Sequence, residues 1–283
     1  MHTTNATIRD VKPMIKTLGW IAIIYVTYCL FLFLVQRHML FPRYMIPDVD
    51  QVEYPARSDR EIIWIKGTFG EVETWLLKPD SISMQKPVPL VIFAHGNAER
   101  IEYNVDEMTQ FLRWGMAVLL VEFPGYGRST GKPSQANITD AFVAAYDQIS
   151  KRADLRADKI IFYGRSIGGG AICSLLKQRP ATAVILMSTF TSVRAFAPRY
   201  LVPPFLVRDP FDNLAVISNY AGPLLLIHGK HDEVIPYSHG KKLLEAVPGA
   251  RLISYDCGHN DCPPDWRAHW QEIESFLRQA NVL

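Results

Sequence analysis

The chain has 283 residues, of which 48% are hydrophobic and 11% aromatic, with 30 basic and 28 acidic residues and a net charge of +2. This composition supports a substantial hydrophobic core and excludes an intrinsically disordered chain. There is no run of like charge and no zinc-type cysteine spacing, so we expect neither a nucleic-acid partner nor a bound metal. The length suits one large α/β domain with an appendage.

The appendage is the first predicted element, a run of eighteen residues without a formal charge at residues 18–35. A helix of this length spans about 27 Å, which is close to the hydrocarbon thickness of a bilayer. Trp20 lies near one end, and Arg37 and His38 close the other, as interfacial residues do. The run exceeds the usual core of a signal peptide, and no small-residue cleavage site follows it. We therefore expect an uncleaved single-pass anchor in a lipid bilayer, rather than a signal peptide or a buried core helix.

The basic residues on either side of this apolar run predict its orientation in the membrane. Residues 1–17 are a predicted N-terminal tail, and the proline-containing residues 36–60 are a predicted linker. Basic residues are slightly more numerous before the run than after it (Arg9, Lys12 and Lys16 against Arg37 and Arg43). The positive-inside rule then predicts a cytoplasmic N-terminus and a main domain on the non-cytoplasmic side, by a difference of one charge.

Residues 61–283 form the predicted main domain, in which short apolar runs alternate with helical patterns. The predicted strands are residues 61–66, 72–77, 88–94, 117–123, 159–163, 183–187, 224–228 and 250–255. The predicted helices are residues 99–114, 134–150, 166–178, 238–247 and 266–279. Nearly continuous apolar strands suit a buried parallel sheet, and the alternation implies right-handed crossovers with helices on both faces. The fold class is therefore α/β.

A tight turn follows the third predicted strand and reads His95-Gly96-Asn97-Ala98-Glu99. Gly96 permits close chain reversal, and the helix after it directs free backbone N–H groups toward the same edge of the sheet. By itself a His-Gly pair is most simply structural. Beside a reacting serine, however, the backbone N–H of Asn97 or Ala98 would stabilise negative charge on oxygen.

Two serines match the Gly-x-Ser-x-Gly pattern, Ser129 and Ser166. The strand before Ser166 runs directly into the motif, and a helical pattern follows at once, as in a nucleophile elbow. Ser129 is instead separated from its strand by Pro124 and an irregular glycine-containing turn, so we expect a loop residue there. Ser166 is the predicted nucleophile, and the N–H of Ile167 is a predicted oxyanion-hole donor.

Residues 188–220, between the sixth and seventh predicted strands, form a predicted small cap. Its apolar side chains either line a site for acyl or lipid esters or only pack the cap onto the core. The apolar residues of this segment include Phe190, Phe196, Tyr200, Leu201 and Phe205.

A serine hydroxyl needs a base to remove its proton and an acid to orient that base. Asp232 lies on the loop after the seventh predicted strand, and His259 lies on the loop after the last one. Both loops are at strand carboxyl ends, where open α/β sheets place their sites. Asp232 is therefore the predicted acid, with Asp256 as its main competitor, and His259 is the predicted base. The cluster of His228, His231 and Asp232 is better explained as polar turn residues than as a metal site, because it lacks the helical spacing of zinc-protease histidines.

The four cysteines are interpreted by position. Cys29 lies in the apolar run and Cys173 follows the elbow, so both are expected to be buried thiols. Cys257 and Cys262 flank His259; two unpaired thiols are the favoured interpretation, and a disulfide in an oxidising compartment is the alternative.

From about residue 62 to its C-terminus, the chain resembles the α/β-hydrolase superfamily, and within it the membrane-anchored serine hydrolases grouped as α/β-hydrolase domain-containing proteins 13 and 17. The motifs that carry this resemblance are His95-Gly-Asn-Ala-Glu, Phe123-Pro-Gly-Tyr-Gly-Arg-Ser-Thr-Gly-Lys-Pro, Gly164-Arg-Ser-Ile-Gly-Gly-Gly, His228-Gly-Lys-His-Asp-Glu-Val-Ile-Pro and Gly258-His-Asn.

The resemblance implies an α/β-hydrolase fold with a mostly parallel eight-stranded sheet, and a triad of Ser166, Asp232 and His259. It also implies hydrolysis of esters or thioesters, including removal of acyl chains from proteins in the 17-type members. The chain departs from the pattern at Glu122-Phe123, where relatives often have Asp-Tyr. It also has a transmembrane run in place of the cysteine-rich N-terminal segment of the 17-type.

We therefore expect a membrane-anchored serine hydrolase that cleaves acyl or lipid-like esters or thioesters without a cofactor. A peptidase or lactonase is the alternative within enzymes, because the same triad serves amides and lactones. A membrane-tethered binding module without turnover is the alternative outside enzymes.

Overall fold

An eight-stranded sheet forms the centre of the molecule, in the order β1-β2-β4-β3-β5-β6-β7-β8. The computed structural model describes residues 5–46 and 58–283, with side chains from residue 13 onward. Residues 1–4 of the predicted tail and residues 47–57 of the predicted linker lie outside the described residues. The strands are β1 (Arg60–Gly67), β2 (Gly70–Leu77), β3 (Val88–Ala94), β4 (Ala117–Val121), β5 (Leu155–Arg165), β6 (Ala183–Met187), β7 (Leu224–Gly229) and β8 (Arg251–Tyr255).

Strand direction divides the sheet into two parts. β1 pairs antiparallel with β2, and β2 pairs antiparallel with β4. All remaining neighbours, from β4 through β8, pair in parallel. The carboxyl ends of β3 and β5 to β8 therefore meet at one edge of the sheet, where a functional site is expected. The predicted eight-stranded, mostly parallel α/β-hydrolase fold is confirmed.

Helices cover both faces of this sheet, as the nearly continuous apolar strands require. They follow α1 (Asn5–Leu40), which precedes the sheet, and are α2 (Val105–Arg113), α3 (Gln135–Ile149), α4 (Ile167–Leu176), α5 (Asn213–Ile217), α6 (Ser238–Glu245) and α7 (Trp266–Gln279). One hydrophobic cluster joins the sheet to α3 through α6, and a second joins the opposite face to α2 and α7.

The helix predicted at residues 99–114 begins later than expected. Residues Ile101–Asn104 form a short 3₁₀ helix, and only Val105–Arg113 are α-helical. The reason is that the Glu99 side chain is engaged elsewhere: its Oε2 accepts a hydrogen bond from the backbone N–H of Gly96 at 3.0 Å. Glu99 therefore belongs to the turn after β3 rather than to the helix.

The segment between β6 and β7 forms a small cap of short helices. It contains two 3₁₀ helices, Val193–Tyr200 and Pro204–Leu206, followed by α5. The sequence pattern predicts a cap at residues 188–220 but none of these helices, because each is shorter than the window of about 11 residues over which helical periodicity can be recognised.

Helix α1 is a single helix of 36 residues that extends beyond residues 18–35 at both ends. Its portion Pro13–Leu40 is long and apolar enough to cross a membrane, by length and composition. Its last turn packs onto the main domain. Arg37 makes two hydrogen bonds to Asp209 of the cap, at 2.7 and 3.0 Å, and the ring of Phe41 meets that of Phe211 edge to face.

Candidate active site

Ser166 occupies a strained turn between β5 and α4. Its backbone has φ 53° and ψ −119°, a conformation that residues other than glycine rarely adopt. Three hydrogen bonds hold it there: Ser166 N–H donates to Met187 O (2.9 Å), and Ser166 O accepts from Gly169 N–H (3.0 Å) and Thr189 Oγ1 (2.8 Å). Such strain, of order 1–3 kcal/mol, persists only where the surroundings over-determine the conformation.

The glycines of the motif allow the chain to pack closely around this turn. A Cβ on Gly168 would collide with the backbone carbonyl of Ala94, and a Cβ on Gly164 would lie 2.5 Å from the carbonyl oxygen of Gly168. The N-terminus of α4 is thereby held directly against the turn after β3.

Ser166, His259 and Asp232 form one hydrogen-bonded row. Nε2 of His259 lies 3.1 Å from Oγ of Ser166, and Nδ1 of His259 lies 2.7 Å from Oδ2 of Asp232. Because a carboxylate only accepts, Nδ1 carries the proton and Nε2 is left to accept the serine proton. The tertiary structure thus brings together the three predicted triad residues, which lie on the loops after β5, β7 and β8.

Asp232 is held ionised in this row. Its other oxygen, Oδ1, accepts from the backbone N–H groups of Val234 (3.0 Å) and Ile235 (2.7 Å). Burial by itself raises the pKa of Asp232, but hydrogen bonds from His228, His259 and the Ile235 N–H outweigh burial and hold that pKa well below its usual value. The negative charge of Asp232 therefore lies next to the Nδ1 proton of His259.

The turn after β3 faces the amino end of α4. Ala98 has φ 53°, and its N–H donates to Oδ1 of Asn97 at 3.0 Å. Because the Ala98 N–H is engaged in this way, the backbone N–H of Asn97 is the better candidate for a donor to a reacting oxygen. Ile167 is the first residue of α4, directly after Ser166.

The buried side chains of His95 and Glu122 support the turn after β3 from the core. Both side chains are buried, and Nε2 of His95 lies 2.7 Å from Oε1 of Glu122 while Nδ1 lies 2.8 Å from Gly96 O. Glu122 also accepts from the N–H groups of Ile101 and Phe123. The glutamate that departs from the family pattern therefore connects the turn to β4 and to the 3₁₀ helix.

A second set of side-chain contacts connects the turn after β3 to α2 and β5. Arg165, the last residue of β5, donates to Oε1 of Glu99, and its Nη1 lies 3.6 Å from Oε2 of Glu107. Burial raises the pKa of Glu107 to about 7. Within the described residues, Oε1 of Glu107 has no hydrogen-bond partner.

We expect Glu107 to contribute stability that falls with rising pH. Its folded-state pKa is about 7 against an ordinary 4.5, so the folded protein keeps a proton that the unfolded chain releases. This contribution is full below pH 4.5, is lost as the pH rises through 7 and is level above it, a change of about 3 kcal/mol. Burial lowers the pKa of His269 to about 4, which adds a contribution of opposite sign to the wild type and the variant alike. The melting temperature of the wild type minus that of Glu107→Gln, measured in detergent between pH 5 and pH 8, should therefore fall with rising pH.

The control for this measurement is Glu71→Gln, at an exposed ion pair with Lys66. It should keep the wild-type slope. A Glu107→Gln protein with an unchanged slope would contradict the assignment.

The rival residues have other partners. Ser129 is a loop residue, as predicted, and its Oγ accepts from the N–H of Glu73 at 2.9 Å. Asp256 is exposed and lies 2.7 Å from Nε2 of His231. Nε2 of His228 lies 2.8 Å from Ile235 O and 3.4 Å from Asp232 Oδ2, so it supports the Asp232 loop.

The cysteines next to His259 differ from the favoured expectation. Cys257 and Cys262 form a disulfide, so the interpretation as two unpaired thiols is wrong and the alternative holds. The physical reason is the tight loop between them, in which Gly258 N–H donates to Asp261 Oδ1 at 2.7 Å. This closes the ends of the loop that carries His259. Cys29 and Cys173 are buried free thiols, as predicted.

We expect the disulfide to stabilise this loop. Closing a six-residue loop removes about 2 kcal/mol of unfolded-chain entropy in the polymer model. Cys257→Ser/Cys262→Ser should therefore melt at a lower temperature and turn over ester more slowly, because His259 is less firmly held. Reductant should lower the melting temperature of the wild type toward that of the double variant and leave the variant unchanged. A wild type insensitive to reductant would contradict this role.

Sequence reasoning missed the side-chain contacts that hold this turn. A signal was present only for the contact within the turn, since Glu99 follows Gly96 by three residues, the spacing at which a glutamate side chain returns to a backbone N–H. Nothing in the sequence pairs Arg165 with Glu99 or His95 with Glu122, because these partners are far apart in the sequence.

Comparisons with known proteins agree with the fold. Residues 85–208 match the family described as serine aminopeptidase, S33. That stretch contains Ser166 and ends before Asp232. The α/β-hydrolase domain-containing protein 17B of Xenopus laevis is 34% identical over 199 residues, which cover 68% of this chain and 67% of the relative. The uncharacterised protein YfhR of Escherichia coli K12 is 29% identical over 202 residues, covering 69% and 71%.

Solved structures share the fold at lower sequence identity. Est1E from Butyrivibrio proteoclasticus superimposes with a TM-score of 0.63 at 16% identity, covering 78% of this chain and 99% of Est1E. The Pyrococcus furiosus esterase Pf2001 has a TM-score of 0.65 at 18% identity, covering 83% and 97%.

Proposed function

The chain belongs to the α/β-hydrolase superfamily, and from this premise we propose that it is a serine hydrolase that cleaves carboxylic esters or thioesters through an acyl-enzyme on Ser166. The observation that carries the proposal is the hydrogen-bonded row of Ser166, His259 and Asp232 at the carboxyl edge of the sheet.

In the first half-reaction, Oγ of Ser166 attacks the substrate carbonyl while Nε2 of His259 takes the hydroxyl proton. Asp232 keeps Nδ1 of His259 protonated and stabilises the imidazolium. The backbone N–H groups of Ile167 and Asn97 donate to the oxyanion of the tetrahedral intermediate. His259 then returns the proton to the departing alcohol or thiol, which leaves Ser166 acylated. A water molecule then attacks the acyl carbonyl while Nε2 of His259 takes its proton. The second intermediate collapses to release the acid, and the proton returns to Oγ of Ser166. These residues complete both steps without a cofactor.

A fluorophosphonate probe tests this mechanism. It should modify the wild-type protein on one serine, and peptide mapping should place the adduct on Ser166. No adduct would support a membrane-tethered module without turnover, and an adduct on Ser129 would transfer the role to the other motif.

We propose acyl or lipid-like esters as the substrate class, because a helix that is apolar enough to cross a membrane packs against the apolar cap of the domain. Lengthening the acyl chain of a soluble ester should then raise kcat/KM by about 4-fold per added methylene while the chain still enters apolar contact, since each buried methylene contributes about 0.8 kcal/mol. Initial rates with acetyl, butyryl and octanoyl esters measure this. A flat or falling series would contradict a lipid-like substrate.

A peptidase is the second candidate, and the match to the serine aminopeptidase family favours it. Aminoacyl amides compared with esters of the same acyl group distinguish the two. A higher kcat/KM for the amide would favour the peptidase. A lactonase is tested with lactones in the same panel.

We further propose that α1 anchors the protein as a single-pass helix, with residues 61–283 as the catalytic domain on the non-cytoplasmic side. The charge difference across α1 supports this orientation, and so does the Cys257–Cys262 disulfide, since disulfides persist in oxidising compartments. A membrane-impermeant thiol reagent should reach a cysteine introduced at exposed Met84 from outside intact cells. Reaction only after lysis would reverse the orientation.

A further inference from the structure

The cap tip, residues 200–206, packs along α1 from the middle of the helix toward its C-terminal end. The hydroxyl of Tyr25 donates to the carbonyl of Leu201 at 3.0 Å, and the hydroxyl of Tyr28 donates to the carbonyl of Tyr200 at 2.7 Å. Closer to the domain, Gln36 donates to the carbonyl of Leu206 at 3.1 Å. The cap therefore follows α1 over at least eleven residues.

The length of the helix then decides where the cap tip lies. A helix needs about 20 residues to cross the roughly 30 Å hydrocarbon layer. The twenty residues before Arg37 are residues 17–36, which begin directly after Lys16. Tyr25 is eleven residues before Gln36, about 16 Å along the helix axis. If α1 crosses the membrane, the cap tip that Tyr25 contacts must lie inside the hydrocarbon layer.

The surface of the cap tip suits that environment. Leu201 and Phe205 are 75% and 79% exposed, although both are large and apolar. A crevice of about 390 Å³ between the cap and α1 has no charged side chain in its lining. It is lined by Tyr25, Val26, Cys29, Leu30, Phe33, Pro203 and Leu206.

Most backbone polar groups of the cap tip have partners within the protein, as a lipid environment requires. Pro203 and Pro204 have no N–H to satisfy. Four N–H groups donate to carbonyls of the cap: Leu201 to Pro198, Val202 to Ala197, Leu206 to Pro203, and Val207 to Pro204. The N–H of Arg208 donates to Oε1 of Gln36 at 2.8 Å. Polar side chains of α1 thus supply part of the hydrogen bonding of the cap.

We propose that the cap tip, residues 200–206, is inserted into the lipid bilayer beside α1, so that the protein binds its membrane through the cap as well as through the anchor. This inference rests on the proposed membrane anchor. The partner is the acyl-chain layer of the bilayer.

The test measures depth in the full-length protein, reconstituted in phosphatidylcholine vesicles. Three variants each carry one introduced cysteine, at Leu201, Ile24 or Met84, which is labelled with an environment-sensitive fluorophore. The protein without an introduced cysteine is labelled in the same way, and its signal gives the background from the native cysteines. Ile24 is an exposed residue of α1, and Met84 is an exposed apolar residue on the loop between β2 and β3. A spin-labelled lipid should quench the labels at 201 and 24, and aqueous iodide should quench only the label at 84.

The outcomes separate the inference from its premise. A label at 201 that is quenched by iodide while the label at 24 is quenched by lipid would overturn cap insertion and leave the anchor intact. Iodide quenching at both positions would overturn the anchor and, with it, cap insertion. Fluorophosphonate labelling of the same vesicles reports hydrolase competence independently of both.

A second measurement uses activity. Leu201→Glu/Phe205→Glu should lower kcat/KM for an ester presented in vesicles by roughly tenfold or more, because a carboxylate resists entry into the bilayer. Its kcat/KM for a short soluble ester should not change. Met84→Glu is the matched control and should leave both substrates unaffected. Equal loss on both substrates, or loss on neither, would contradict cap insertion.

Discussion

Ser166→Ala should abolish turnover, with kcat for a soluble ester falling on the order of 10⁶-fold, because no other group can form the acyl-enzyme. The variant loses one buried hydroxyl at a turn whose conformation depends on backbone contacts with Met187 and Thr189. We therefore expect it to fold normally and to bind substrate with little change in affinity. Burst kinetics and steady-state rates measure the loss, and the melting temperature checks the fold.

Ser129→Ala is the matched control, since Ser129 carries the other copy of the motif. Its hydroxyl accepts from the N–H of Glu73, so its removal should cost about 1 kcal/mol of stability and leave kcat close to wild type. If Ser129→Ala were the inactive variant and Ser166→Ala the active one, the proposed mechanism would be wrong.

Asp232→Asn should lower kcat about 10⁴-fold while KM changes little, because it moves the proton of the neutral His259 ring from Nδ1 to Nε2. The asparagine amide would donate to Nδ1 of His259, so Nε2 would carry the proton and could no longer accept one from Ser166. Oδ1 of the asparagine can still accept from the N–H groups of Val234 and Ile235, which preserves the loop. Steady-state kinetics separate kcat from KM.

Asp256→Asn tests the competing acid. Asp256 contacts His231 at an exposed position, so its replacement should leave kcat unchanged. A larger loss in Asp256→Asn than in Asp232→Asn would transfer the orienting role to Asp256.

The two sides of the candidate site are held by different kinds of contact. Ser166, Gly168 and the turn after β3 are held by backbone contacts and by the buried pair of His95 and Glu122. His259 instead lies on a loop whose ends are joined by the Cys257–Cys262 disulfide, and its ring is held by Asp232.

The sequence by itself determined the elements that depend on local patterns. Apolar and alternating patterns located all eight strands to within a few residues, because a buried parallel strand is apolar on both faces and a half-buried antiparallel strand alternates. The ends of those runs located Ser166, Asp232 and His259, since the carboxyl ends of parallel strands share one edge. Their catalytic roles stay a prediction.

Only the tertiary structure decided which distant groups meet. The pairs Arg165 with Glu99, His95 with Glu122 and Tyr25 with Leu201 join residues that are 27 to 176 positions apart. No period or motif relates such residues, because their contact depends on how crossovers and the cap bring separate elements together. The Cys257–Cys262 bond was predicted wrongly for a related reason: spacing allows a disulfide, but the fold of the loop determines whether the two sulfurs meet.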